Sequence, residues 1–256
     1  MSRDKRLLDN RVKYEGKTIQ TNRGEVEVLK YTNNSSVNIK FINTGFETTV
    51  KLCQILSGVV KDRLLPEVYG VGIIGADKVD HGSRENNIWR GLLSRCYGKT
   101  KRAPTYKDCT VSENFKYFPY FKDWCNKQIG FNSIDSKGNP FQLDKDILIK
   151  GNRVYSEDTC CFVPSEINLL FTRCDKARGK QPIGVYFSKL AKKFCANLTK
   201  ESKSHNIGHF NTSEEAFFAY KQAKETHIKE VANKWKDQID PRVYEALTTY
   251  EVEIND

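Results

Sequence analysis

The 256-residue chain holds no apolar run close to the roughly eighteen residues that a membrane-spanning helix needs, so no membrane partner is expected. Its opening residues, Met1-Ser2-Arg3-Asp4-Lys5-Arg6, are charged and no apolar segment follows, so no secretory leader is expected either. There are eight cysteines but no C-x-x-C pair. Without a secretion signal, these read as reduced, buried thiols in a cytoplasmic setting. A zinc site drawn from Cys96, Cys109, Cys125 and Cys160 or Cys161 has the wrong spacing for a ribbon or finger, and zinc is not expected. Repeats and low-complexity segments are missing too. Acidic charge is in short supply: 32 Asp and Glu face 42 Lys and Arg, a net charge of +10. That excess points to a polyanionic partner, most simply nucleic acid. It is concentrated between Phe171 and Lys236, where 14 basic residues face 6 acidic ones. The alternative is a basic surface with no dedicated partner.

What is present suggests several small cores, and the length suits one large or two to three small domains. Residues 1–20 are charged and weakly patterned, an extension or a first strand. From Gly24 the pattern is β: Val26, Val28 and Lys30 alternate with Glu25, Glu27 and Leu29. Runs follow at Val37–Ile42 and Thr48–Leu52, with turns at Asn33–Ser36 and Asn43–Gly45. Short strands and tight turns predict a small SH3-like β-barrel over residues 1–68, a surface open to a protein partner or nucleic acid. Gly70, Gly72 and Gly75 match G-x-G-x-x-G, but polar loop follows where a phosphate-binding loop needs a helix, so 69–87 reads as a linker. Asn87–Arg95 has helical periodicity. Lys99, Lys101, Arg102 and Lys107 make a basic loop around Pro104. Phe115, Phe118, Tyr120, Phe121 and Trp124 recur near helical spacing, an aromatic stripe that reads as core.

The richest stretch is Phe141–Leu170, FQLDKDILIKGNRVYSEDTCCFVPSEINLL. Its pattern predicts a strand over Leu143–Ile149, a turn at Gly151-Asn152, a return from Arg153, and a short helix from Ile167. Alternation along the first strand would put Asp144 and Asp146 on one face, with Asn168 behind them. Carboxylate and amide oxygens suit a hard cation such as Mg²⁺. The alternative is a hairpin with solvated aspartates at its rim.

The run L-D-K-D-I-L-x-x-G-N-x-x-Y-S-x-x-x-C-x-F resembles the hairpin of phage-borne HNH-type endonucleases. Upstream, Trp89–Tyr97, Pro104-Thr105-Tyr106 and Phe118-x-x-Phe121-x-x-Trp124 resemble the lead-in of the same family. The resemblance implies a ββα-metal domain over 88–172, with Asp144 and Asn168 at metal-ligand positions, Asp146 as a further ligand, and Mg²⁺ or Mn²⁺ as cofactor. Lys145 stands where the family carries its general-base histidine, and Thr159 where it carries an asparagine. Lys145 would then contact the scissile phosphate. His81 is a stray histidine that could serve as base only if the fold brought it to Asp144.

Beyond a basic hinge with Lys176, Arg178 and Lys180, strands are predicted at Val185–Ser188, Lys193–Leu198 and Asn206–Phe210. A helix follows with a Thr212/Glu215 capping box. The pattern Gly-x-Phe-x-Thr-x-Glu-Glu-Ala-x-x-Ala-Tyr resembles an AP2-type DNA-binding domain over about residues 180–232, which implies such a domain over 173–234. That family lays its sheet in the major groove. The residues implied in DNA contact are Lys189, Lys192, Lys193, Asn197, Lys203, His205 and His209, with Lys176, Arg178 and Lys180 from the hinge. Lysine cannot make arginine's bidentate guanine contact, which favours phosphate attraction over base reading. Residues 235–256 add a short helix and an acidic tail. The whole reads as an α+β chain that binds double-stranded DNA, either a metal-dependent endonuclease or a non-catalytic binder on a degenerate HNH scaffold. A third reading is a protein-binding inhibitor that uses its N-terminal barrel.

Overall fold

Arg3–Tyr14 forms a helix, α1, in the computed structural model, where a strand or extension is expected from the sequence. Leu7 and Tyr14 lie seven residues apart, on one face, and both pack on the core beneath. Asn10 on the same face donates to the Tyr31 hydroxyl at 3.0 Å. Charged residues elsewhere on the helix hide this narrow stripe in the sequence. The structure describes residues 3–99, 106, 108–171, 181–200 and 203–254. The chain forms two units, Met1–Lys122 and Asp123–Asp256. Residues 88–172, expected as one domain, contribute to both.

In the first unit, β1 (Thr18–Thr21), β2 (Gly24–Asn33), β3 (Ser36–Phe41) and β4 (Glu47–Val50) form an antiparallel sheet in that order. Among the described residues β1 and β4 do not pair, so the sheet is open and the expected closed barrel is not what forms. Val26, Val28, Val37, Ile39 and Phe41 fill its inner face with Phe46 and Ile55, the latter from α2 (Leu52–Leu56). A register shift between Val28 and Lys30 reverses the inward phase of β2. Tyr31 is therefore buried and Lys30 exposed, the opposite of strict alternation.

The expected linker is packed structure. Ile73 bridges Tyr117, and Gly72 lies so close to Leu93 and Trp89 that a Cβ there would stand 2.6 Å from Leu93 Cδ1. That crowding explains the glycine without any phosphate. Helix α3 (Arg84–Tyr97), capped by Ser83, buries Trp89, Leu92 and Leu93. The Trp89 indole donates to the Phe115 carbonyl at 2.7 Å. Beyond the short strand β5 (Thr110–Val111) and α4 (Glu113–Lys116), α5 (Phe118–Lys127) carries Phe118, Phe121 and Trp124 of the aromatic stripe into the interior, with Phe115 edge-on to Phe121, while Tyr120 stays exposed.

The second unit has two layers of its own. Strand β6 (Gln142–Asp144) pairs antiparallel with β8 (Cys161–Val163); β7 (Val154–Tyr155) lies in the long loop between them. Helix α6 (Ser165–Leu170) follows, and Phe162 packs against Phe131 and Trp124. Strands β9 (Val185–Ser188), β10 (Lys193–Lys200) and β11 (Lys203–Phe210) make a meander with β10 central. Helix α7 (Ser213–Trp235) opens on the Thr212/Glu215 capping box and buries Ala216, Tyr220, Ile228 and Val231. It packs across one face of that sheet, where Lys200 meets Glu230 at 3.0 Å. Glu166 ties α6 to the end of α7 by accepting from Lys234 and Trp235 at 2.6 and 2.8 Å. Helix α8 (Pro241–Thr248) and the tail close the unit, with Val252 buried and bonded to Lys221 and Glu225.

Candidate metal and nucleic-acid sites

Strand β6 stops at Asp144, short of the expected end at Ile149. The reason is local. Asp144 Oδ1 accepts the backbone N–H groups of Asp146 and Ile147 at 2.8 and 2.9 Å, a side-chain turn that bends the chain out of the ladder. Asp146 does not share a strand face with Asp144, yet the turn brings the two carboxyl groups into hydrogen-bonding contact. Burial, and then the Asp146 charge, raise the Asp144 carboxyl to about 6.

Lys145 is buried. Its ammonium donates to Asp146 Oδ2 at 2.9 Å and to the Asn152 carbonyl at 3.1 Å, over the Tyr155 ring. This loop is held by Asn152, whose amide donates to the Lys145 and Val154 carbonyls at 2.6 and 2.7 Å. The Gly151-Asn152 pair marks a turn in the sequence, but nothing there announces the bracing role of the asparagine. Thr159 is buried and bonds Ser156 and the Val154 carbonyl. Asn168 donates from Nδ2 to Gln142 Oε1 at 2.8 Å. Gln142 shares a strand face with Asp144, one pleat away.

Two crowded carboxyls suit one hard cation, which relieves their repulsion and keeps most of its waters. Asp144 and Asp146 could provide that pair. Among the described residues, no group of three or more His, Cys, Asp or Glu side chains is placed to hold a metal ion. Nearby Cys160 is pushed up to about 12 and Cys161 well above its ordinary value, both chiefly by burial, which favours neutral thiols over ligating thiolates. Asp135, missed by the sequence reasoning, is a buried carboxylate held below its usual range by the Asn139 amide, Ser165 and further donors. It braces the loop before β6 against the start of α6.

The face of the second sheet opposite α7 carries Tyr186, Lys193, Cys195, Asn197, Asn206 and His209 by strand register, with no acidic residue on it among the described residues. Cys195 Sγ lies 3.1 Å from His209 Nδ1, and Asn206 is 3.4 Å from His209 Nε2. Asn197 donates to Ser204, while its Oδ1 has no hydrogen-bond partner among the described residues. Lys189 and Lys192 sit in the β9–β10 turn, both exposed. Lys203 and His205 pair with Lys200 and Leu198, on the register of the helix-packed face, and are exposed at its edge. Lys176, Arg178 and Lys180 lie outside the described residues, as do Lys101, Arg102 and Lys107. In the first unit, His81 lines a cleft with Arg63, Lys78 and Arg90.

Among the described residues no helix is long and apolar enough to cross a membrane. In comparisons with known proteins, no family model, curated protein or solved structure matches the chain.

Proposed function

We propose that the chain binds double-stranded DNA through the open face of the β9–β11 sheet, in the manner of AP2-type domains, and cleaves it at an HNH-like centre on Asp144. The observation that carries the binding reading is the acid-free open face, which combines Lys193, Asn197 and His209 with the lysines of the adjoining turn. Lysines there attract phosphates, and amide and imidazole groups can meet base edges. The cleavage reading draws support from the order strand, strand, helix in β6, β8 and α6, and from two carboxyls meeting at the end of the first strand. Asp144, with Asp146 and Asn168, would hold Mg²⁺ or Mn²⁺. That ion would stabilise the charge that develops on the phosphodiester.

A non-catalytic binder on the same scaffold is the second reading, and Lys145 favours it. Its ammonium is committed to Asp146 and the Asn152 carbonyl, not extended toward a substrate. Supercoiled plasmid nicking with Mg²⁺ or Mn²⁺, run beside a gel shift on the same DNA, separates the readings. Nicking that Asp144→Ala abolishes supports the nuclease. A salt-sensitive shift with intact plasmid supports the binder, and the absence of both removes the DNA reading.

A further inference from the structure

The turn between β9 and β10 presents one apolar side chain to solvent without cover. Leu190 is 98% exposed, more than any other large hydrophobic among the described residues. Lys189, Lys192 and Lys193 surround it in sequence, all exposed. From Gln181 to Lys200 there are four lysines and no acidic residue. The turn is a built one. Ser188 Oγ accepts the Ala191 N–H at 3.2 Å, and Lys192 adopts the left-handed conformation at φ +52°. Glycine fills that conformation without strain, and a lysine there gives up some stability to keep a charge at the tip. Behind the tip, Phe187 packs edge-on against Phe194 across the two strands, which stiffens the base of the hairpin.

We propose that this tip is a DNA wedge: Leu190 enters between base pairs of a bound duplex and kinks it, while Lys189, Lys192 and Lys193 grip the flanking phosphates. The proposal rests on the reading of the C-terminal sheet as a duplex binder. Single apolar side chains part base steps in this way in proteins that bend DNA, and the lysines supply the sequence-independent hold. The lysines suit any polyanion, and the single leucine selects the partner. A lone leucine buries too little surface to anchor a chain in a bilayer, whereas one side chain suffices to open a base step.

The test uses the full chain and a duplex of about 30 base pairs rich in the flexible TA and CA steps. The duplex carries donor and acceptor dyes at its ends and 2-aminopurine at successive steps. Wild type is expected to shorten the end-to-end distance and to raise 2-aminopurine fluorescence at one step. Leu190→Ala is expected to lose both signals while affinity falls by about ten- to a hundredfold, the equivalent of one leucine's burial. Leu190→Phe should restore them. Leu190 touches no core, so these variants leave the fold intact. Equal bending by wild type and Leu190→Ala would overturn the wedge and leave the sheet reading standing. No binding by wild type would overturn the sheet reading beneath it. Leucine-dependent binding to phosphatidylserine vesicles with no DNA bend would give the tip to membranes and overturn the proposal.

Discussion

Asp144→Asn should stabilise the chain at neutral pH and remove any metal response. The substitution is nearly isosteric and keeps the Oδ1 acceptor for the Asp146 and Ile147 amides. It removes the charge that burial and Asp146 disfavour. A carboxyl raised from 3.8 to about 6 carries a penalty of at most about 3 kcal/mol once ionised. Solvent at this half-buried site and the proton it can share with Asp146 reduce that to about 1–2 kcal/mol. The folded group binds its proton more tightly than the unfolded one. Its contribution is therefore full below the unfolded value of 3.8 and is lost as pH rises through about 6. Urea unfolding in EDTA, followed by tryptophan fluorescence, reads this directly. The variant's midpoint should exceed the wild type's by about 0.5–1 M at pH 7.5, and the two should converge near pH 4. Added Mg²⁺ should stabilise the wild type and leave the variant unmoved. A variant less stable than wild type at pH 7.5, or a gap that does not close in acid, would refute the reasoning.

Two further outcomes follow from the packing of the second unit. Gly184 sits at φ +74° with its α-carbon pressed on the Tyr220 ring, so Gly184→Ala meets both backbone strain and a clash. It should cost about 2–4 kcal/mol by calorimetry, and a change below 0.5, the usual scale of a surface substitution (~0.5 kcal/mol), would argue against that contact. Glu166→Ala leaves the buried Trp235 indole N–H and Lys234 without their acceptor, for a loss of about 1–3 kcal/mol in denaturant titration. Burial raises the Glu166 carboxyl, but the Lys234 and Trp235 donors outweigh this and hold it below its ordinary value. Its contribution should therefore fade in acid.

Much of the second sheet and its helix was legible because the signals are local. Val185–Ser188 was expected and formed as such, and the Thr212/Glu215 box marks the start of α7 where the spacing placed it. Of the apolar positions whose periodicity marks the inner face, Ala216, Tyr220, Ile228 and Val231 are buried, whereas Phe217 and Ala223 are only half-buried. Trp235 was assigned to the tail, yet it extends the same face and packs edge-on against Phe141. What eluded sequence reasoning depends on single hydrogen bonds or on register. A shift at Val28/Lys30 exchanges Tyr31 for Lys30 in the core. The Asp144 turn ends a strand whose β-branched residues continue beyond it, and the true partner of that strand lies past the first available return. Alternation predicted the nearness of Asp144 and Asp146, and a turn produces it.

Lys145 is where the catalytic and the structural readings divide, and its substitution distinguishes them. As an internal counter-ion it neutralises Asp146, the same carboxylate that a divalent cation would use. Lys145→Met keeps the apolar stem and removes the ammonium. The pair lies between a buried lysine and a half-exposed aspartate, with side-chain exposures of 9% and 46%, so losing it should cost about 1–2 kcal/mol, well below the figure for a fully buried pair. The two aspartates then face each other without a cation, and Mg²⁺ should restore the lost stability and bind more tightly than in wild type. If Lys145 instead served the scissile phosphate, Lys145→Met would abolish nicking while Mg²⁺ affinity stayed as in wild type. Isothermal titration with Mg²⁺ beside the nicking assay reads both quantities. Tighter metal binding with nicking retained assigns the lysine to the loop, whereas unchanged binding with nicking lost returns it to the chemistry.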